Sequence, residues 1–189
     1  MLEHFYQTIE GWFDFEAVYS EMVRRAGFIA HFVEVGAFKG KSTAFMAVEI
    51  ANCKKAIRFD VVDTWQGSLE HQKGEFSEDP SVVANRLFED FTRNTSSVAD
   101  FIRPVRMTSL EASRLYPDKS LDFVFIDASH DYENVKADIL AWKPKIKPGG
   151  YLGGHDLHAV FPGVEHAVRE IFAVFDIVGC SWLVRVDAA

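Results

Sequence analysis

The sequence predicts an α/β fold: a doubly wound, seven-stranded sheet, mostly parallel, with an antiparallel C-terminal strand and an N-terminal helical appendage. Three observations predict it. Short apolar runs alternate with stretches of helical periodicity from residue 28 onward. One run, LDFVFI at residues 121–126, is unbroken, as in a strand covered on both faces. A further apolar run leads straight into a glycine-containing turn, Glu34-Val35-Gly36-Ala37-Phe38-Lys39-Gly40-Lys41-Ser42, which opens a helix.

Residues 1–27 read as a helical cap. Leu2, Phe5, Tyr6, Ile9, Trp12 and Phe13 recur at three- and four-residue steps, the period of one helix face. Gly11 and Asp14 break that helix before a second one, which Gly27 ends. Residues 28–189 form the main domain, one folding unit with the cap. Its first strand is expected at 31–35, followed by a helix at 41–52 carrying Ala44, Phe45, Ala47, Val48 and Ala51. A second strand at 57–62 ends at Asp63. The polar stretch 64–79 is long for a compact domain, a length that usually serves function. Asp79-Pro80 starts a helix, with Asp as cap and Pro in the first turn. Strand three is expected at 101–107, near a sheet edge because Pro104 lacks an N–H. After the fourth strand, Asp131 caps a helix with Val135, Ile139 and Leu140 inward. Pro148-Gly149-Gly150 turns into a fifth strand at 151–154, and Pro162 opens a helix with Val164, Ala167, Val168, Ile171, Phe172 and Phe175. The tail DIVGCSWLVRV reads as two short strands around Gly179, an antiparallel edge.

Composition excludes several classes. The 189 residues carry 20 basic and 28 acidic side chains, a net charge of −8, which suits nucleic-acid binding poorly. No apolar run approaches the roughly 18 residues of a membrane span. The N-terminus MLEHFYQ has no basic n-region, so no signal peptide is read there. Cys53 and Cys180 lie in apolar surroundings without a disulfide framework. The expectation is a cytoplasmic globular protein with no nucleic-acid or membrane partner.

In doubly wound sheets, ligands bind beyond the carboxyl ends of the strands. The residues at those ends are 34–42, Asp63 onward, Thr108-Ser109, 127–131 and His155-Asp156. Gly36 and Gly40 permit a sharp turn and close approach of a ligand. A nucleoside-triphosphate loop needs four residues between its glycines, and here there are three. A nicotinamide-cofactor turn needs a glycine where Phe38 stands. A tight turn without a ligand also stays open.

The segment resembles motif I of the class I S-adenosylmethionine-dependent methyltransferases. Within them it is most similar to the metal-dependent small-molecule branch that includes the catechol and sugar O-methyltransferases. That branch shows an acidic residue, hydrophobic-Gly-Ala-aromatic, then Gly-x-Ser; here these are Glu34, Val35-Gly36-Ala37-Phe38, Gly40 and Ser42. The resemblance covers roughly residues 30–186 and implies a Rossmann-like sheet binding S-adenosylmethionine. It assigns Glu34, Gly36, Ala37, Phe38, Gly40 and Ser42 to the cofactor, with Asp63 on the ribose hydroxyls, where a carboxylate can accept two hydrogen bonds. Thr64 and Trp65 would border the adenine or methionine part, and Thr108, Ser109 and Leu110 would wrap the adenine. Thr108 stands where many relatives have an Asp.

A hydroxyl is a weak nucleophile at neutral pH. An enzyme can bind it to a divalent cation or place a base beside it. In the metal-dependent relatives, magnesium is held by an acid after the fourth strand and an adjacent pair after the fifth. The matching positions are Asp127 and Asp156, with His155 beside the second. Leu157 stands where catechol O-methyltransferase has an asparagine. Magnesium, another divalent metal suited to imidazole, and no metal at all stay open at Asp127, Asp156 and His155. The catalytic set implied is His130 as general base, in an Asp-x-x-His arrangement with Asp127, together with Asp127 and His155. Asp127 also belongs to the cofactor-side set. His4, His31, His71, His158 and His166 show no ligand spacing, although His158 could face the pocket. The acidic stretch 75–79 lacks calcium-loop spacing.

The expected function is O-methylation of a small hydroxylated molecule, a sugar, a phenol or a natural-product intermediate. The N-terminal aromatics Phe5, Trp12, Phe13 and Phe15, with the stretch 64–79, would cover the substrate, and pairing of relatives through such segments implies a homodimer. A non-catalytic cofactor-binding module and an N-methyltransferase are the alternatives.

Overall fold

Side chains alternate across a strand, so each strand of a buried sheet feeds two cores. In β1 (Ile29–Val35), Ala30 and Phe32 enter one core, while Val33 and Val35 enter the other. In β4 (Leu121–Ile126), Phe123 and Phe125 side with the first, Val124 and Ile126 with the second. The computed structural model describes residues 1–67 and 79–187.

Seven strands form one sheet in the order β3-β2-β1-β4-β5-β7-β6. The others are β2 (Ala56–Asp63), β3 (Arg103–Arg106), β5 (Ile146–Gly154), β6 (Asp176–Val178) and β7 (Ser181–Arg185). Pairing is parallel from β3 across to β5, and β7 is antiparallel to both its neighbours. Pro104 lies on the edge strand β3, as expected. The first core is roofed by α1 (Glu16–Arg25), α2 (Lys41–Cys53) and α4 (Leu87–Asn94), the second by α5 (Ser109–Ser113), α6 (Tyr132–Trp142) and α7 (Pro162–Ile171). A short α3 (Pro80–Val83) starts at Asp79, whose carboxylate accepts from the Ser81 and Val82 N–H groups. Asp131 caps α6 by accepting from the Asn134 N–H. Gly179, at φ +61°, joins β6 to β7.

Register fixes the functional rim. Val35 pairs with Val62 and Ile126, and Ile126 pairs with Gly154. The carboxyl ends of β1, β2, β4 and β5 therefore finish level. Gly36, Asp63, Asp127 and His155 stand in a row, across the switch point between β1 and β4 where strand order reverses.

The structure differs from expectation in several places. Of the helix read over the first 13 residues only a 3-10 turn at Tyr6–Thr8 forms. Gly11 sits at φ +130°, and the rings of His4, Tyr6 and Phe13 pack on Phe45 of α2. So short a helix has little intrinsic stability, and ring packing outweighs it. The second expected helix is α1, whose Val18, Tyr19 and Met22 are buried in the first core. Leu140, expected inward, is 53% exposed; the inward stripe of α6 runs through Val135, Ile139 and Trp142. Strand β5 begins at Ile146, running through the Pro148-Gly149-Gly150 segment with a register shift against β4. Residues 68–78, most of the stretch read as a substrate cover, and His71 lie outside the described residues. Among the described residues no helix is long and apolar enough to cross a membrane.

Candidate active site

The glycine turn is built by backbone geometry that side chains resist. Gly36 adopts φ +91°, and a Cβ there would lie 1.8 Å from the Asp127 carbonyl oxygen. Only glycine lets β1 and β4 end this close together. Gly40 takes φ +88° at the entry to α2, against Thr95 and Phe91. Phe38 between them is also left-handed, at φ +48°.

Asp63 holds the turn. Its Oδ2 accepts from the N–H groups of Ala37 (2.8 Å) and Phe38 (3.0 Å), and its Oδ1 from the Trp65 N–H (2.7 Å). An ionised carboxylate offers about four acceptor positions, so about one remains for a ligand. Trp65 is 1% exposed, donates Nε1–H to the Phe38 carbonyl and packs on Phe88 and Phe91. The structure places Trp65 beneath the turn, as a support. Glu34 is likewise buried: its carboxylate accepts from Tyr19 at 2.8 Å and from Thr43 and Ser42. Burial pushes its pKa up to about 7, against those three hydroxyl donors. Thr64 stands half-exposed at the rim, accepting the Gln66 N–H.

Beyond β3, Thr108 caps α5 in a reciprocal box with Glu111. The Ser109 hydroxyl accepts from Trp142 Nε1 at 2.8 Å and donates to buried Asp138. These two side chains are spent inside the chain, whereas Met107 and Leu110 leave 40% and 41% of their surface exposed.

Asp127, His130, His155 and Asp156 come together on the β4–β5 side. The Asp127 N–H donates to the Val35 carbonyl, and the His155 N–H to the Ile126 carbonyl. Asp156 takes φ +62°, a left-handed conformation that Asp tolerates better than most residues. It is the hub: Oδ2 lies 2.7 Å from His130 Nε2, while Oδ1 faces His158 Nε2 at 3.1 Å and His155 Nδ1 at 3.4 Å. The His130 ring stacks on Phe161, centroids 4.2 Å apart. A small cavity lined by Asp127, Ser129, His130 and His155 reaches down to Val164 and Trp182.

Two carboxylates in one place titrate apart. Burial opposes ionisation of Asp156, but hydrogen bonds from His130 and His155 outweigh it and hold its carboxyl well below the usual range. Burial pushes Asp127 up to about 6; the charge of His155 opposes that rise and the charge of Asp156 adds to it. Burial works against charge on His155 too, yet its bond to Asp156 and the surrounding carboxylates raise its pKa. One ligand atom from each of Asp127, His130 and Asp156 lies within 4.8 Å of the others, a spacing that suits a cation. The structure thus joins His130 to the two acids, while His155 turns its Nε2 toward Asp14.

Sequence reasoning missed Asp14 and Phe161, and gave His158 no ligand role while allowing that it could face the pocket, where it meets Asp156. Only His158 carried a signal, its position two residues after Asp156. Phe161 and Asp14 reach the cluster from segments with no readable motif.

Residues 33–157 match the family model described as a methyltransferase domain. The uncharacterised protein y4gI of Sinorhizobium fredii is 32% identical over 124 residues, or 66% of this chain; the chain spans 13% of that relative's length. Among solved structures, the O-methyltransferase NovP superposes with a TM-score of 0.66 at 18% identity, covering 92% of this chain and 79% of its own. The calicheamicin methyltransferase CalS11 gives 0.63 at 16% identity, covering 90% and 76%. At these identities the likeness is one of fold.

Proposed function

The chain belongs to this methyltransferase-domain family, and from that premise we propose that it transfers the methyl group of S-adenosylmethionine to a hydroxyl of a small molecule. The observation that carries this reading is the rim itself. A left-handed glycine turn tied to Asp63 abuts, through Gly36 and the Asp127 carbonyl, a cluster that pairs an imidazole with a carboxylate.

The residues present fit the donor. Asp63 keeps an acceptor position at the turn, and Met107 and Leu110 offer apolar surface one strand further on. When bound, S-adenosylmethionine supplies an electrophilic methyl on a sulfonium, which leaves as the oxygen–carbon bond forms and sulfur keeps the electron pair. The chain's part is the proton. His130, paired through Nε2 with Asp156 at 2.7 Å, takes the acceptor's hydroxyl proton. Asp156 stabilises the imidazolium that results, because its carboxyl stays ionised. Asp127, whose pKa burial raises to about 6, borders the same cavity and accepts a hydrogen bond from a polar group of the acceptor. Alignment of the two reactants supplies much of the remaining acceleration.

The spacing of Asp127, His130 and Asp156 favours one second reading, a divalent cation held by these three groups. It would lower the pKa of the acceptor hydroxyl, and His130 would serve as ligand instead of base. The test is methyl transfer from radiolabelled S-adenosylmethionine to a panel of catechols and sugar nucleotides, with and without chelator. Transfer that survives chelation and is lost in His130→Ala supports the base. Transfer abolished by chelation and restored by manganese supports the cation. No transfer to any acceptor in either condition counts against the O-methyl reading.

A further inference from the structure

One short irregular segment touches both halves of the rim. Residues 10–14 lie across the glycine turn and end at the cluster. Glu10 pairs with Lys39 at 2.7 Å, and Lys39 is itself 5% exposed and paired with Asp79. The Gly11 carbonyl accepts from Lys41 Nζ at 2.9 Å. The Trp12 ring sits 6.0 Å from that of Phe38. Phe15, the first buried residue after the segment, packs on His155 at 4.9 Å and on Phe125. Between these anchors, Asp14 Oδ1 stands 2.7 Å from His155 Nε2. Nε2 is buried and the contact lacks hydrogen-bond alignment, so it is a close approach of a carboxylate to the imidazole rather than a hydrogen bond.

We propose that Asp14 is a positioning residue of the active site: through His155 it sets Asp156, and through Asp156 the ring of His130. The run of groups is continuous, Asp14 to His155 to Asp156 to His130, with contacts of 2.7, 3.4 and 2.7 Å. An exposed ion pair contributes little to stability, and Asp14 is 64% exposed. Four anchoring residues, Glu10, Gly11, Trp12 and Phe15, spent on placing such a side chain are better explained by what it orients. Because the anchors grip the cofactor turn, the same strap ties donor-side geometry to the base. The assignment rests on the methyl-transfer reading for its purpose, and on the contacts alone for its existence.

The test uses the full chain labelled with 15N at histidine, with ring nitrogen spectra recorded at one pH for wild type, Asp14→Asn and Asp14→Glu. In Asp14→Asn the signals of both His155 and His130 move, that of His31, held by Asp60, does not, and Asp14→Glu restores the wild-type positions. In methyl-transfer assays, Asp14→Asn lowers kcat about tenfold while KM for the donor holds within twofold. Signals of His155 and His130 that stay in place would overturn the proposal, as would movement confined to His155. Failure of the methyl-transfer reading would show separately, as a wild-type protein that does not bind S-adenosylhomocysteine.

Discussion

The glycine turn and the acidic cluster sit side by side on one rim, yet they treat charge in opposite ways. At the turn, carboxylates are spent on the chain: Asp63 accepts three backbone N–H groups and Glu34 three hydroxyls. At the cluster, two carboxylates and three imidazoles compete, and burial raises the Asp127 pKa to about 6. Polar groups that fix a shape find their partners inside the fold. Titratable groups crowded at a strand end, as at the cluster, are instead left with competing partners, the pattern of groups that await a ligand.

Breaking the cluster should affect rate and spare donor binding. His130→Ala is expected to slow methyl transfer about 10²–10⁴-fold, with S-adenosylhomocysteine affinity unchanged within twofold. A loss under tenfold would move the base elsewhere. Breaking the turn should instead affect the fold. Gly36→Ala forces a Cβ into the Asp127 carbonyl at φ +91°, and urea unfolding should show a loss of roughly 3 kcal/mol. A loss below about 1 kcal/mol would mean that the two strand ends can part at little cost.

Asp127→Asn separates stability from activity. Folding raises this carboxyl from 3.8 to about 6, so the native state binds the proton more tightly than the unfolded chain. Stability is then lost as pH rises from about 4 through 6, where ionisation is opposed only in the native state. The asparagine variant should therefore be roughly 1–2 kcal/mol more stable than wild type at pH 7, equal to it below about pH 4, and slower in transfer. Paired unfolding curves at both pH values decide this; a variant less stable at pH 7 would show Asp127 to be a structural cap. The smallest effect belongs to the turn's outer tie. Asp79→Ala removes the α3 cap and one partner of Lys39, and should cost about 1 kcal/mol with kcat unchanged.

What the sequence made legible follows the same divide between local and distant causes. The glycine turn was readable because a left-handed backbone demands Gly at 36 and 40, whatever surrounds them. The placing of Asp127 beside Asp156 was readable because neighbouring parallel strands end level. Residues 1–13 misled, since aromatic spacing suits a helix face and a ring cluster on Phe45 equally. Trp65 was ambiguous for a related reason: a tryptophan after an acidic strand end can lie over a ligand or under the turn, and burial alone decides. The second contact of His155 was hidden as well. Its Nδ1 faces Asp156, adjacent in sequence, but its Nε2 meets Asp14 from the N-terminal segment, which no motif marks.

Methyl transfer depends first on the turn holding the methyl donor. Calorimetric titration of S-adenosylhomocysteine into the chelator-treated protein tests that directly, with His130→Ala run alongside. One-site micromolar binding, equal in both proteins, is the expected result. Absence of binding in a wild-type sample shown to be folded would contradict it.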